Sequence, residues 1–142
     1  MALRAQDWLR QGKRDLEHAR RSAEQGDYEW ACFAAHQAAE KALKAVYQSA
    51  GEEAWGHSIL GLLAALPLAD ALTEAMKDAA RELDRHYIPA RYPNSYPEGA
   101  PYEYYTQGEA ERALAQAEQI LRFCENHLTG PEGGSGGSPT GL

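Results

Sequence analysis

From about residue 2 to residue 50, apolar side chains return at three- and four-residue steps, with a single break at Gly26-Asp27. A period near 3.6 selects helix over strand, so this stretch predicts two amphipathic helices folded back on each other as a hairpin. In the first, Ala5, Trp8, Leu9, Leu16, Ala19 and Ala23 share a face up to about residue 25. Gly26 ends it, and Asp27 stands where a side chain can cap the second helix by accepting a backbone N–H. Trp30, Phe33, Ala34, Ala38, Ala42 and Val46 mark that second helix, which stops near Gly51.

The rest of the chain reads in the same way. Residues 52–56 form a loop, and a short helix runs from His57 or Ser58 to Ala65, where Pro67 prevents its continuation. Leu72, Met76, Ala79, Ala80, Leu83 and Tyr87 give a fourth helix, with Lys77, Arg81 and Arg85 as a basic ridge on another face. Between residues 88 and 105, Pro89, Pro93, Pro97 and Pro101 interleave with Tyr92, Tyr96, Tyr102, Tyr104 and Tyr105. That pattern excludes regular helix and predicts an extended strap lying against the bundle. Thr106-Gln107-Gly108-Glu109 is a capping box opening a last helix through Ala110, Ala113, Leu114, Ala117, Ile120, Leu121, Cys124 and Leu128, with Gly130-Pro131 as its stop. No strand-period alternation and no repeat occur. The expected class is all-α: an antiparallel up-and-down bundle of four long helices plus one short helix, with a domain over 1–128 and a flexible Gly/Ser-rich tail over 129–142.

With 142 residues and 44% hydrophobic content the chain can bury one core. A net charge of -7 argues against duplex DNA as a partner, because neutralising phosphates takes clustered Lys and Arg. No run reaches the roughly 18 apolar residues of a membrane helix, and Arg4 and Asp7 stand where a signal peptide would be apolar, so a cytoplasmic protein is expected. Cys32 and Cys124 lie in helical patterns without a CxxC pair and read as reduced thiols. Cys32 with His36, and Cys124 with His127, can share a helical face, but neither has a zinc-site spacing, so no metal is expected. No cofactor is expected either: there is no Gly-rich phosphate loop, GxSxG or HExxH.

Several segments together carry a resemblance. They are Asp15, Gly26-Asp27-Tyr28 with Ala31 and Phe33, Gln37-Ala38-Ala39-Glu40-Lys41-Ala42-Leu43-Lys44-Ala45, His57, and Tyr87-Ile88-Pro89-Ala90-Arg91-Tyr92-Pro93. On these the chain resembles the HEPN family (higher eukaryotes and prokaryotes nucleotide-binding), specifically its small stand-alone prokaryotic members, over about residues 1–128. The resemblance implies a helical bundle that dimerises, commonly paired with a minimal nucleotidyltransferase in a toxin–antitoxin or related two-part system. Members of the family act as metal-independent ribonucleases through an Arg followed four to six residues later by a His, bind nucleotides, or serve as partner scaffolds.

Arg81-Glu82-Leu83-Asp84-Arg85-His86 has the ribonuclease spacing. His86 would move the proton of a 2′-hydroxyl and Arg81 would meet the charge on the phosphorane, with no metal needed. Three features weigh on the other side. Arg122 and His127 have the same spacing, Glu82 puts a carboxylate beside Arg81, and five positions of helix set Arg81 and His86 roughly 140° apart. They converge only if the helix distorts or two subunits juxtapose them. For nucleotide or RNA binding the candidates are Arg85, Tyr87, Arg91, Tyr92 and Lys41, cations for phosphate and rings for bases. The plainer alternatives are Asp78-Arg81 and Glu82-Arg85 ion pairs, a strap that only covers the bundle, and Tyr87 as a core residue. Three functions thus stand: a nucleotide- or RNA-binding HEPN-type partner, an endoribonuclease toxin, and an interaction module without a ligand.

Overall fold

A computed structural model describes residues 4–67 and 71–128. Among these residues six α-helices follow one another: α1 (Ala5–Glu24), α2 (Tyr28–Ser49), α3 (Ile59–Ala64), α4 (Glu74–Asp84), α5 (Pro101–Tyr104) and α6 (Gln107–Asn126). No strand occurs among the described residues. The hairpin of α1 and α2 forms one half of the bundle, α6 lies along both of its helices, α4 packs on α6, and α3 bridges α2 and α4.

The innermost element is α2, because its alanines let neighbours approach on several sides. Ala31, Ala35, Ala38, Ala39, Ala42 and Ala45 are fully buried within the single chain. At Gly12 of α1 an added Cβ would stand 3.1 Å from the Ala38 carbonyl oxygen and 3.5 Å from Lys41 Cβ. The alanine face of α2 is therefore taken up by α1 itself. Leu43, Ile59, Leu63, Leu83 and Ile120 are the large side chains sealed at the centre.

Helix ends depart from the sequence reading at three places. Asp27 occupies the cap position of α2, yet its side chain makes no capping bond; its ψ of 68° is not the extended geometry that aims a carboxylate over the first turn. Ser58, Thr73 and Thr106 do have extended backbone and accept from Gly61, Met76 and Glu109 respectively. The expected fourth helix is shorter than its apolar stripe: Leu72 precedes it, and beyond Asp84 the chain tightens into i→i+3 bonds, Arg85 to Glu82, His86 to Leu83 and Tyr87 to Asp84.

The strap is not wholly extended. It holds a 3-10 turn at Pro93–Ser95 and the one-turn α5, each opened by a proline whose fixed φ suits a first helical position that needs no N–H. Glu103 accepts from the Ala100 N–H at 2.9 Å and holds that turn. Pro101 and Tyr105 are buried, so the strap does lie on the bundle. The capping box of α6 forms as read, with Thr106 and Glu109 exchanging bonds of 3.1 Å. The expected stop at Gly130-Pro131 and the tail lie outside the described residues. Both cysteines are free and buried, and burial pushes their thiols up, Cys32 to about 12.

Candidate functional site

The tight turn after α4 sends consecutive side chains to different places. His86 meets Tyr105, while Tyr87 meets His57 and His36. Two sites result, back to back.

The first is a hollow of about 400 Å³ lined by Glu82, Arg85, His86, Tyr96, Tyr105 and Arg112, among others. His86 Nδ1 and the Tyr105 hydroxyl share a hydrogen bond of 2.9 Å. Desolvation pulls His86 down to about 4, so its ring is neutral at pH 7, and burial likewise pushes the Tyr105 hydroxyl up. Gln116 Nε2 donates to Glu82 at 2.8 Å, and Arg112 approaches the same carboxylate at 3.5 Å. The Gln116 bond first, and Arg112 after it, hold Glu82 below the usual carboxylate range.

The second site surrounds Tyr87. Its ring centre lies 4.8 Å from that of His57, 5.1 Å from that of His36 and 6.1 Å from that of Phe33. His57 Nδ1 sits on the Glu40 carboxylate at 3.1 and 3.2 Å, and Lys44 reaches that carboxylate at 3.1 Å. Glu40 is buried, whereas the His57 side chain is 54% exposed. His36, fully buried, bonds the His57 carbonyl through Nε2 at 3.0 Å. Asp84 accepts from the Ile59 N–H at 2.6 Å, the Leu60 N–H at 3.1 Å and the Ser58 hydroxyl at 3.0 Å. Burial would raise its pKa, but these bonds and His36 outweigh that and hold the carboxyl below its ordinary value.

Arg91 completes this side. Its guanidinium carbon lies 4.4 Å from the ring centre of Phe33, 4.7 Å from that of Tyr87 and 5.0 Å from that of Tyr92. Nε donates to the Tyr87 carbonyl at 2.8 Å. Among the described residues no carboxylate stands within ion-pair distance of Arg91. A cation held on aromatic faces keeps its orientation without losing its charge.

The residues singled out in the sequence thus divide. Tyr87, Arg91 and exposed Tyr92 come together, and Arg85 and His86 line the hollow. Arg81 is exposed, bonded to Asp78 at 2.6 Å, and does not line the hollow with His86; Arg85 and Arg112 do. Lys41 pairs with Asp15 at 2.6 Å across the α1–α2 joint. Of the two ion pairs read on α4, Asp78-Arg81 forms, while Glu82 turns to Gln116 and Arg112 in place of Arg85. The sequence assigned Tyr105, Arg112 and His36 to neither site and did not join His57 to Glu40. The resemblance named His57 and the segment that holds Glu40, without the contact between them. No group of three or more His, Cys, Asp or Glu among the described residues is arranged to hold a metal, and none of the described helices is long and apolar enough to cross a membrane.

The profile of the HEPN domain matches residues 5–127, and the chain belongs to the HEPN domain family. Three crystal structures are similar to it. TT1696 from Thermus thermophilus is 52% identical with a TM-score of 0.85, the match covering 88% of this chain and 98% of that one. The archaeal HEPN homologue ST0689 is 42% identical with a TM-score of 0.75, covering 88% and 98%. A HEPN domain protein from Thermotoga maritima is 43% identical with a TM-score of 0.70, covering 86% and 97%. No curated protein matches the chain significantly.

Proposed function

We propose that this chain binds a nucleotide or RNA through the end of α4 and the loop that follows, and that it does so as a homodimer beside a minimal nucleotidyltransferase in a toxin–antitoxin-like pair. The observation that carries the binding reading is Arg91. Of the other basic groups singled out, Arg81 and Lys41 are neutralised by an adjacent carboxylate and Arg85 shares the hollow with Glu82, whereas Arg91 is oriented by three rings, faces no carboxylate among the described residues, and stands beside the exposed ring of Tyr92. An unneutralised guanidinium next to an open aromatic face suits a phosphate attached to a base. The partner and the dimer rest on family membership.

The endoribonuclease alternative needs Arg81 and His86 at one phosphate. Within a protomer they are apart, and a histidine held at about 4 is a weak base at neutral pH, so that alternative requires a second subunit to bring its arginine to the hollow. Two assays test the reading. Titration with ADP and with a single-stranded oligoribonucleotide should show binding that Arg91→Ala removes. Incubation of structured RNA with the protein in excess EDTA should leave it intact; cleavage abolished by His86→Ala would replace the binding reading with the ribonuclease.

A further inference from the structure

We infer that the open groove beside Tyr92 receives the base of the nucleotide and selects guanine, with the Glu98 carboxylate accepting the two N–H groups on the edge of that base. The inference rests on the binding reading above and adds where the base goes and which base fits. The groove encloses about 780 Å³ and is lined by Ile88, Tyr92, Asn94, Tyr96, Pro97 and Glu98, among others. Tyr92 joins it to the cation, because the same residue lines the groove and carries the Arg91 guanidinium carbon 5.0 Å from its ring centre. Tyr92 and Ile88 are both exposed, so a ring and an apolar side chain stand open to a flat ligand.

The polar side chains of the groove are few and uncommitted. Neither Glu98 nor Asn94 makes a side-chain hydrogen bond or ion pair among the described residues. Their places are set by the chain around them. The Tyr104 hydroxyl donates to the Glu98 carbonyl, the Tyr104 ring stacks on Tyr96 at 4.4 Å, and the Tyr96 hydroxyl donates to the Pro89 carbonyl at 2.9 Å. Directly after Glu98 the chain turns at Gly99 with a φ of 85°, where an added Cβ would stand 3.0 Å from the Tyr104 ring. Asn94 sits in the 3-10 turn Pro93–Ser95. A cation on Tyr92 and a carboxylate on the groove that Tyr92 lines suit a ligand anionic at one end and rich in N–H donors at the other. A guanine nucleotide has that form. Guanine presents N1–H and N2–H side by side, which a carboxylate accepts as a bidentate pair, and an O6 to which the Asn94 amide can donate. Adenine turns the N1 lone pair towards the carboxylate instead, and each pyrimidine offers a single donor group on that edge. The same carboxylate repels phosphate, which leaves the phosphates to Arg91.

GDP, IDP and ADP, each titrated calorimetrically into the full chain, separate the base from the phosphates. The wild type should bind GDP about tenfold more tightly than ADP, with IDP, which keeps N1–H but lacks the N2 amine, between them. Glu98→Gln removes the charge of the acceptor while keeping its size. It should weaken GDP about tenfold, leave ADP within about twofold and keep the melting temperature, so that the preference disappears. Arg91→Ala should weaken all three together and preserve their order. If GDP binds no better than ADP, or Glu98→Gln keeps the preference, the groove does not read the base and the Arg91 reading stands. If the wild type binds none of GDP, IDP, ADP and the oligoribonucleotide, both fall.

Discussion

His86 and Tyr87 are neighbours in sequence and opposites in setting. On the His86 side an imidazole is withdrawn from water, neutral, and matched by a tyrosine hydroxyl, with Glu82 against Arg112 beside it. On the Tyr87 side an imidazole stands in solvent on a buried carboxylate, and an arginine lies on three rings with no counter-ion among the described residues. The difference teaches that one step along a tight turn can separate two environments. The histidine that carries the motif is buried against Tyr105, while the arginine without a counter-ion among the described residues lies on the side of Tyr87.

Removing what anchors the Tyr87 side should have the largest effect. Asp84→Ala strips three hydrogen bonds and the 3.5 Å approach of His36 from a charged acceptor and leaves the Ile59 and Leu60 N–H groups at the start of α3 without their partner, at a cost of about 3 kcal/mol in urea unfolding. Ring signals of His57 and Tyr87 should broaden before that of Tyr105. If Tyr105 responds equally, the two sides are one unit and the comparison fails.

Next in size is Arg91→Ala, which should weaken ADP binding by about 2 kcal/mol, roughly thirtyfold, in a calorimetric titration. Arg112→Ala, on the other side, should leave it unchanged.

The His86 side has its own signature. Its folded-state pKa, about 4, lies below the 6.5 of an ordinary histidine, so between those values the unfolded chain takes up the proton and the folded one does not. Stability contributed by the neutral ring is complete above pH 6.5 and drains away as pH falls towards 4. The loss should reach about 2 kcal/mol by pH 5, and His86→Gln should remove that part of the slope in unfolding curves taken from pH 7 to pH 5. Smallest of all, Arg81→Ala breaks an exposed pair and should change stability by under about 0.5 kcal/mol and ADP affinity not at all.

What was legible follows the range of the interaction. The faces of α1, α2 and α6 were readable because Leu9, Leu16, Ala38 and Ile120 obey a local period, and the Thr106-Glu109 cap because it closes within one turn. The break of α4 at Asp84 was not, since an apolar stripe continues to Tyr87 whether or not the hydrogen bonds do. For the site, Tyr87, Arg91 and Tyr92 were legible as a group that meets, because they are close in sequence. The contact of His57 with Glu40 spans 17 positions, and that of His86 with Tyr105 spans 19. Each depends on how α3 and the strap dock, and no local pattern records it.

Which side of the turn receives a phosphate decides between the two settings. A crystal structure of the full chain with ADP bound reads this directly. It should show the phosphates on Arg91, beside Tyr92, with the His86 hollow free of nucleotide. Phosphate density among His86, Arg85 and Arg112, with Arg91 untouched, would contradict it.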